Sequence, residues 1–300
     1  MFNEPLYKKR GAGEKLDVAF AFIRENLRTV CRNVLTVAAP FCLLMAFILT
    51  FAIIGADVLN SDLAWLDFLH IENETKDDAI IFISIIIASA VMPMSFTLVD
   101  LHYTRKKGIT GLKFKDIWRT FLLNLAKWFM AFLPFIIFAT LLLPVLINAK
   151  ERFWAISLSI IVFFFFEMAP PAFIIGKKSY GASIATTIEY AFSSFWNSLI
   201  STILLLLVGT LIFLWEIGTI QIIEDFKYDF IGTNPANNLI AYIIFWLIMM
   251  ALYLVLAVSI TMAITAVTVG IAFQYGSLEE RKNKFELKEK IENFEKLKDE

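Results

Sequence analysis

"LIAYIIFWLIMMALYLVLAVSITMAITAVTVGIAFQY", residues 239–275, contains no Asp, Glu, Lys or Arg. As one helix it would be about 55 Å long, against a hydrocarbon core of roughly 30 Å. Tilt alone cannot absorb that excess, so the inner turns are expected to be sheltered by other parts of the chain. Small residues recur four apart, as Ala257, Thr261 and Thr265, as Ser259 and Ala263, and as Ala266 and Gly270. Such steps let helix backbones approach closely within a membrane.

Outward from this run, the 300-residue chain is 59% hydrophobic, carries 30 Phe and only 18% charged residues, and has a mean hydropathy of +0.71. That composition excludes an ordinary soluble domain. Five further apolar runs long enough to cross a bilayer fall at 34–54, 79–99, 121–147, 153–175 and 195–215. The expected fold is all-α: a polytopic membrane protein with six transmembrane helices, cytoplasmic interfacial amphipathic helices and a candidate three-fold repeat of helical hairpins. Residues 1–33 form a cytoplasmic N-terminal segment, 34–275 the six-span domain and 276–300 a charged cytoplasmic helical tail.

Charge sets the expected orientation. Of 27 Lys and Arg, seven lie in 1–33, six in 101–120, two in 176–194 and seven after Gly276, which puts 22 on one side. The opposite loops hold Lys76, Lys150, Arg152 and Lys227. Both termini are therefore expected in the cytoplasm of a bacterial inner (cytoplasmic) membrane protein. The first 33 residues lack the short apolar core of a signal peptide, so the first span is expected to be retained.

The outer loops are acidic but have no alternating oxygen-ligand pattern, and Asn73-Glu74-Thr75 matches the glycosylation tripeptide. Cys31 and Cys42 would stand about 16 Å apart on a helix, too far for a disulfide. His70 and His102 fall in different segments, so no metal site is expected, and no cofactor is implied. P-loop, nucleophile-elbow, zinc-protease and dinucleotide motifs are absent, leaving no catalytic residues to nominate.

Three polar features remain. Residues 14–32 read as one amphipathic helix, with Leu16, Phe20, Ile23, Leu27 and Val30 on its apolar face and Arg24, Arg28 and Arg32 as a lipid-facing basic stripe. Residues 113–122 (Phe114, Ile117, Trp118, Phe121) and 183–195 (Ile184, Ile188, Phe192, Phe195) read alike and precede the third and fifth spans. An acid, an aromatic and an Asn recur in these units as Asp17, Phe20 and Asn26; Asp116, Trp118 and Asn124; and Glu189, Phe192 and Asn197.

The second feature is Glu167 in "IVFFFFEMAPP", residues 161–171. An ionised side chain at a helix centre costs about 2.5–3.5 kcal/mol on insertion scales. Lys127, at similar depth in the neighbouring span, is the expected partner in an intramembrane polar pair, with Asp100 and His102 as a candidate extension. A structural ion pair, a proton or substrate site, and a protonated acid bonded to a carbonyl freed near the prolines all fit these residues. Pro40, Pro93, Pro134, Pro144, Pro170 and Pro171 all fall in the first four spans.

The third feature is the tail, with Glu280–Lys284, Glu286–Lys290 and Glu292–Lys296 pairs and a narrow stripe of Leu287, Ile291, Phe294 and Leu297 that offers a protein partner a docking edge.

"LDVAFAFIRENLRTV" (residues 16–30) and "SIATTIEYAFSSFWNSLIS" (residues 183–201) resemble the interfacial segments of uncharacterised bacterial multi-pass membrane proteins related to the membrane domain of glycerophosphodiester phosphodiesterases. The resemblance covers most of the chain and implies a multi-pass helical fold. It does not bring hydrolase activity, because that belongs to a separate soluble domain and no catalytic residue has a counterpart here. The expected function is that of a non-enzymatic membrane scaffold or assembly factor. Its expected partners are membrane lipids, anionic ones in particular, and a protein at the tail, with no nucleic acid. The rival reading is a small transporter with Glu167 as a protonatable intramembrane site.

Overall fold

The computed structural model describes residues 2–50, 73–105, 108–147, 166–193 and 239–283, residue 162, and scattered positions between 195 and 218. Among these, every regular element is a helix. They are α1 (Ala12–Glu25), α2 (Leu27–Thr50), α3 (Asn73–Thr104), α4 (Phe114–Ile147), α5 (Ala169–Ile174), α6 (Tyr180–Ser193) and α7 (Leu239–Asn283). Leu27–Thr50, Ile83–Thr104, Phe114–Phe138 and Ile243–Asn283 are long and apolar enough to cross a membrane. Residues 55–72 with His70, the connection at 148–152, Asn197, parts of the fourth and fifth runs, and the tail from 284 with its apolar stripe lie outside the described residues.

Local chemistry explains where the helices start and stop. The Glu14 carboxylate accepts the Gly11 N–H at 2.8 Å ahead of α1, and Asp116 accepts the Lys113 N–H at 3.1 Å ahead of α4. Each acid satisfies an otherwise orphaned donor at the positive end of a helix. The helix expected over 14–32 is instead two. Asn26 sits between them, and both its backbone N–H and its side-chain amide donate to the Phe22 carbonyl, at 3.1 and 2.9 Å. Arg28 and Arg32 thereby join the first membrane helix rather than α1. Asn124, its counterpart in the suggested repeat, interrupts nothing: it lies inside continuous α4 and donates to Thr97 Oγ1 of α3 at 3.0 Å. The first two copies therefore differ in geometry.

The chain divides into two compact units. The first comprises Met1–Asn33, Pro93–Leu206 and Ala266–Glu300, and its core surrounds the C-terminal part of α7. Residues 269–280 are all buried. Phe273 packs edge-on against Phe2 and Phe22, with centroids 5.9 and 6.1 Å away, and Tyr275 meets Tyr190 of α6 at 6.4 Å. The extra turns of the long helix are thus sheltered by α1, α6 and the N-terminal segment. No break falls at residue 276, where a solvated tail was expected; α7 continues to Asn283 with Ser277, Glu279 and Glu280 buried.

The second unit comprises Val34–Met92 and Leu207–Thr265. Here Val34, Ala38, Cys42, Met45 and Leu49 form the buried stripe of α2, and Ala257, Thr261 and Thr265 that of α7. The small residues admit close approach, marked by a 3.4 Å contact between Cys42 Sγ and Thr261 Oγ1. Thr261 and Thr265 also bond back to the carbonyls four residues earlier, at 2.8 Å, which satisfies their hydroxyls without water.

Candidate functional site

The chain turns at Glu167 and Met168 and re-enters a helix at Ala169, with Pro170 and Pro171 in the first turn of α5, where the missing proline N–H leaves no carbonyl unserved. This turn sets the Glu167 carboxyl, 1% exposed, inside the first unit. Its Oε1 accepts Thr202 Oγ1 at 2.7 Å and Gln274 Nε2 of α7 at 3.1 Å. Its Oε2 is buried with no hydrogen-bond partner. Next along the chain from Thr202, Ser201 Oγ accepts the ammonium of Lys15 at 2.8 Å, and Lys15 too is only 1% exposed.

A buried acid and a buried base are thus held by adjacent hydroxyl residues. Burial pushes the Lys15 ammonium down to about 8, Arg281 acts in the same direction, and Glu167 opposes both. No direct Glu167–Lys15 ion pair is present among the described residues.

The pairing of Glu167 with Lys127 does not form. The depth argument extended one helix through residues 153–175, but the turn at 167–168 redirects the carboxyl towards α7 and Thr202. The Lys127 ammonium instead lies over the Phe173 ring, 5.6 Å from its centroid, and its charge acts on Asp100. Asp100 pairs at 3.4 Å with Lys177, from the connection between α5 and α6. His102 belongs to an aromatic cluster, its ring 5.5, 5.2 and 5.0 Å from Phe2, Phe22 and Tyr103. No hydrogen bond or ion pair in the structure joins Asp100 or His102 to Glu167.

A second polar cluster lies near the C-terminal end of α7. Glu279 Oε2 accepts Tyr190 Oη at 2.5 Å and Lys178 Nζ at 2.9 Å, and Lys178 also reaches Thr186 Oγ1 at 3.1 Å. Burial, then the hydrogen bond and negative charge of Glu279, push the Tyr190 hydroxyl upward. No group of three or more His, Cys, Asp or Glu capable of holding a metal occurs among the described residues.

No family model, curated protein or solved structure matches this chain.

Sequence reading missed Lys15 because it took residues 14–32 as an interfacial helix with Leu16, Phe20, Ile23, Leu27 and Val30 on its apolar face and no polar residue turned into the protein. In α1 the structure buries Lys15, Ala19 and Phe22 beside the expected Ile23, while Phe20, and Leu27 at the start of α2, are 44% and 50% exposed. In α6 the inward face is Ser183, Thr186, Thr187, Tyr190 and Ala191, with Ile188 and Phe192 outside. The buried face of α6 is mostly polar, and that of α1 holds Lys15 among apolar neighbours. The signal was available: Lys15, Ala19, Phe22 and Asn26 fall at helical spacing, as do Ser183, Thr187 and Tyr190. Arg24, Arg28 and Arg32 are all exposed, and Arg32 also donates to the carbonyls of Gly111 and Leu112.

Proposed function

We propose that this protein is a non-enzymatic membrane scaffold or assembly factor whose cytoplasmic face engages anionic lipid. One observation carries the reading: Phe20 and Arg24 at the end of α1, and Leu27, Arg28 and Arg32 at the start of α2, are all exposed. Outward apolar side chains alternating with guanidinium groups suit a headgroup layer, where each cation near anionic lipid contributes about 1 kcal/mol. Ile188 and Phe192 on α6 extend the outward apolar surface. The test is lipid co-purification and vesicle binding of the R24Q/R28Q/R32Q variant. Weaker retention of anionic lipid with normal membrane insertion supports the reading, and an unchanged lipid profile ends it.

The same proposal places six spans in a bacterial inner membrane with both termini cytoplasmic, on the 22-to-4 charge asymmetry. It treats the chain as a relative of the membrane region found beside glycerophosphodiester phosphodiesterase domains, serving as a platform without their chemistry. Cysteine labelling from outside should reach residues 57–69 and not residues 290–300.

A second reading, transport with Glu167 as a protonatable site, is favoured by the bare, buried Oε2 of that residue. Proton-dependent uptake lost in Glu167→Gln would support it.

A further inference from the structure

The N-terminal arm, residues 2–25, is seated deep in the first unit. Phe2, Leu6 and Arg10 are buried, Arg10 N donates to Ser277 Oγ at 3.0 Å, its guanidinium lies 5.4 Å from the Phe273 ring centroid, and Tyr103 Oη donates to the Glu4 carbonyl at 2.7 Å. One further anchor is ionisable. Lys15 enters the core beside Ser201, one residue from the Thr202 hydroxyl that holds Glu167.

This seat provides little for two full charges. Lys15 and Glu167 make no direct ion pair, Lys15 is met by a neutral hydroxyl, and Glu167 Oε2 receives no donor. Arg281 of α7, the other charge acting on Lys15, is also cationic and gives an ammonium no relief. A bare carboxylate oxygen away from water is far more costly than a neutral acid.

We infer that the Glu167, Thr202, Gln274, Ser201 and Lys15 cluster is a proton-binding site coupled to the N-terminal arm: Glu167 takes one proton from solvent onto Oε2 as α1 docks and returns it when α1 leaves. The step changes the carboxyl from −1 to neutral and involves no other group. Docking therefore tightens with acidity above the ordinary carboxylate range, up to the pH, about 8, at which Lys15 loses its own proton. Above that, loss of the Lys15 proton removes the second buried charge and docking recovers. The inference rests on the proton-accepting Glu167 of the second reading but not on transport, and it holds whether or not anything crosses the membrane.

The test is amide hydrogen exchange of residues 12–25 in the full chain, reconstituted in phosphatidylcholine nanodiscs and normalised for intrinsic exchange, from about pH 5 to pH 8. Wild-type protection should fall by up to about tenfold per pH unit over the titration, the dependence of one linked proton. Glu167→Gln, which mimics the acid, should hold the low-pH protection at pH 8. Infrared spectra at pH 5 should contain a carboxylic-acid band that Glu167→Gln removes, a readout that also serves if the variant's arm is perturbed for other reasons. Wild-type protection independent of pH, or the absence of that band, overturns the inference. Uptake measured alongside separates the two ideas: pH-dependent protection without uptake leaves the coupled arm standing and removes transport.

Discussion

The Leu6 carbonyl rests directly on the Cα of Gly276. A Cβ built there would stand 3.1 Å from the Leu6 carbonyl carbon and closer still to its oxygen. Only glycine leaves room for the N-terminal segment to cross α7 here. Gly276→Ala should therefore cost about 1–3 kcal/mol, the usual penalty of overpacking against backbone that cannot swing aside. The check is thermal stability in detergent together with tryptic cleavage at Arg10, which should become fast. Cleavage at the wild-type rate would show that the arm does not depend on this crossing.

Gly176 presents a related contact with a different remedy. An added Cβ would collide with the Tyr275 hydroxyl and lie 2.8 Å from the Ala172 carbonyl oxygen. Gly176→Ala should destabilise by about 1–3 kcal/mol. Tyr275→Phe should return part of that loss but not all, because the backbone contact remains. A double-mutant cycle on melting temperature reads the coupling, and strictly additive losses would refute it.

Lys15 gives the fold a pH dependence whose sign is fixed by burial. Its folded pKa is about 8 against 10.5 for a free lysine. Between those values the unfolded chain holds a proton that the folded chain has released, so this lysine's contribution to stability rises with pH. At about 1.4 kcal/mol per unit the full swing is roughly 3 kcal/mol. Tyr7 and Tyr190, both pushed upward first by burial, act oppositely: their contribution is present below pH 10 and declines above it. Denaturation of wild type and Lys15→Met from pH 7.5 to 10 should show the rise in the wild type alone.

The Glu279 cluster should behave as a buried charge pair. Lys178→Met leaves the carboxylate without its cation and is expected to cost about 3 kcal/mol or more. Tyr190→Phe removes a short bond to a charged acceptor and should cost about 1.5–3 kcal/mol. Calorimetry in detergent measures both. Losses below 0.5 kcal/mol, about the level of exposed pairs, would mean that the cluster is solvated.

Glu167 should be energetically coupled to Lys15 and not to Lys127. The cycle through Glu167→Gln and Lys15→Met should depart from additivity by about 0.5 kcal/mol or more, whereas the one through Lys127→Met should add within about 0.5 kcal/mol. The reverse pattern would restore the Lys127 pairing.

The helical architecture was legible because apolar length is a one-dimensional property: the run at 239–275 reads as a span wherever its neighbours lie. Its need for a protein sheath was equally legible, since 55 Å of apolar helix exceeds any bilayer. Faces were harder to read. In a soluble protein the apolar stripe of α1 would point inward, but beside lipid Phe20 and Leu27 can face outward, freeing Lys15 for the interior. The hydrogen-bond partners of Glu167, Thr202 and Gln274, lie 35 and 107 residues away, and no helical spacing encodes such contacts. The break at Asn26 depended on a side-chain bond to Phe22 that the continuous apolar pattern concealed.

Arg10 and Ser277 touch across 267 residues of chain. A ribosome adding about 5–20 residues per second therefore makes the arm tens of seconds before its seat exists. Throughout that interval Phe2, Leu6 and Phe22 have no α7 to cover them. This packing therefore joins segments made far apart in time, and it is complete only once the far end of α7 has been synthesised.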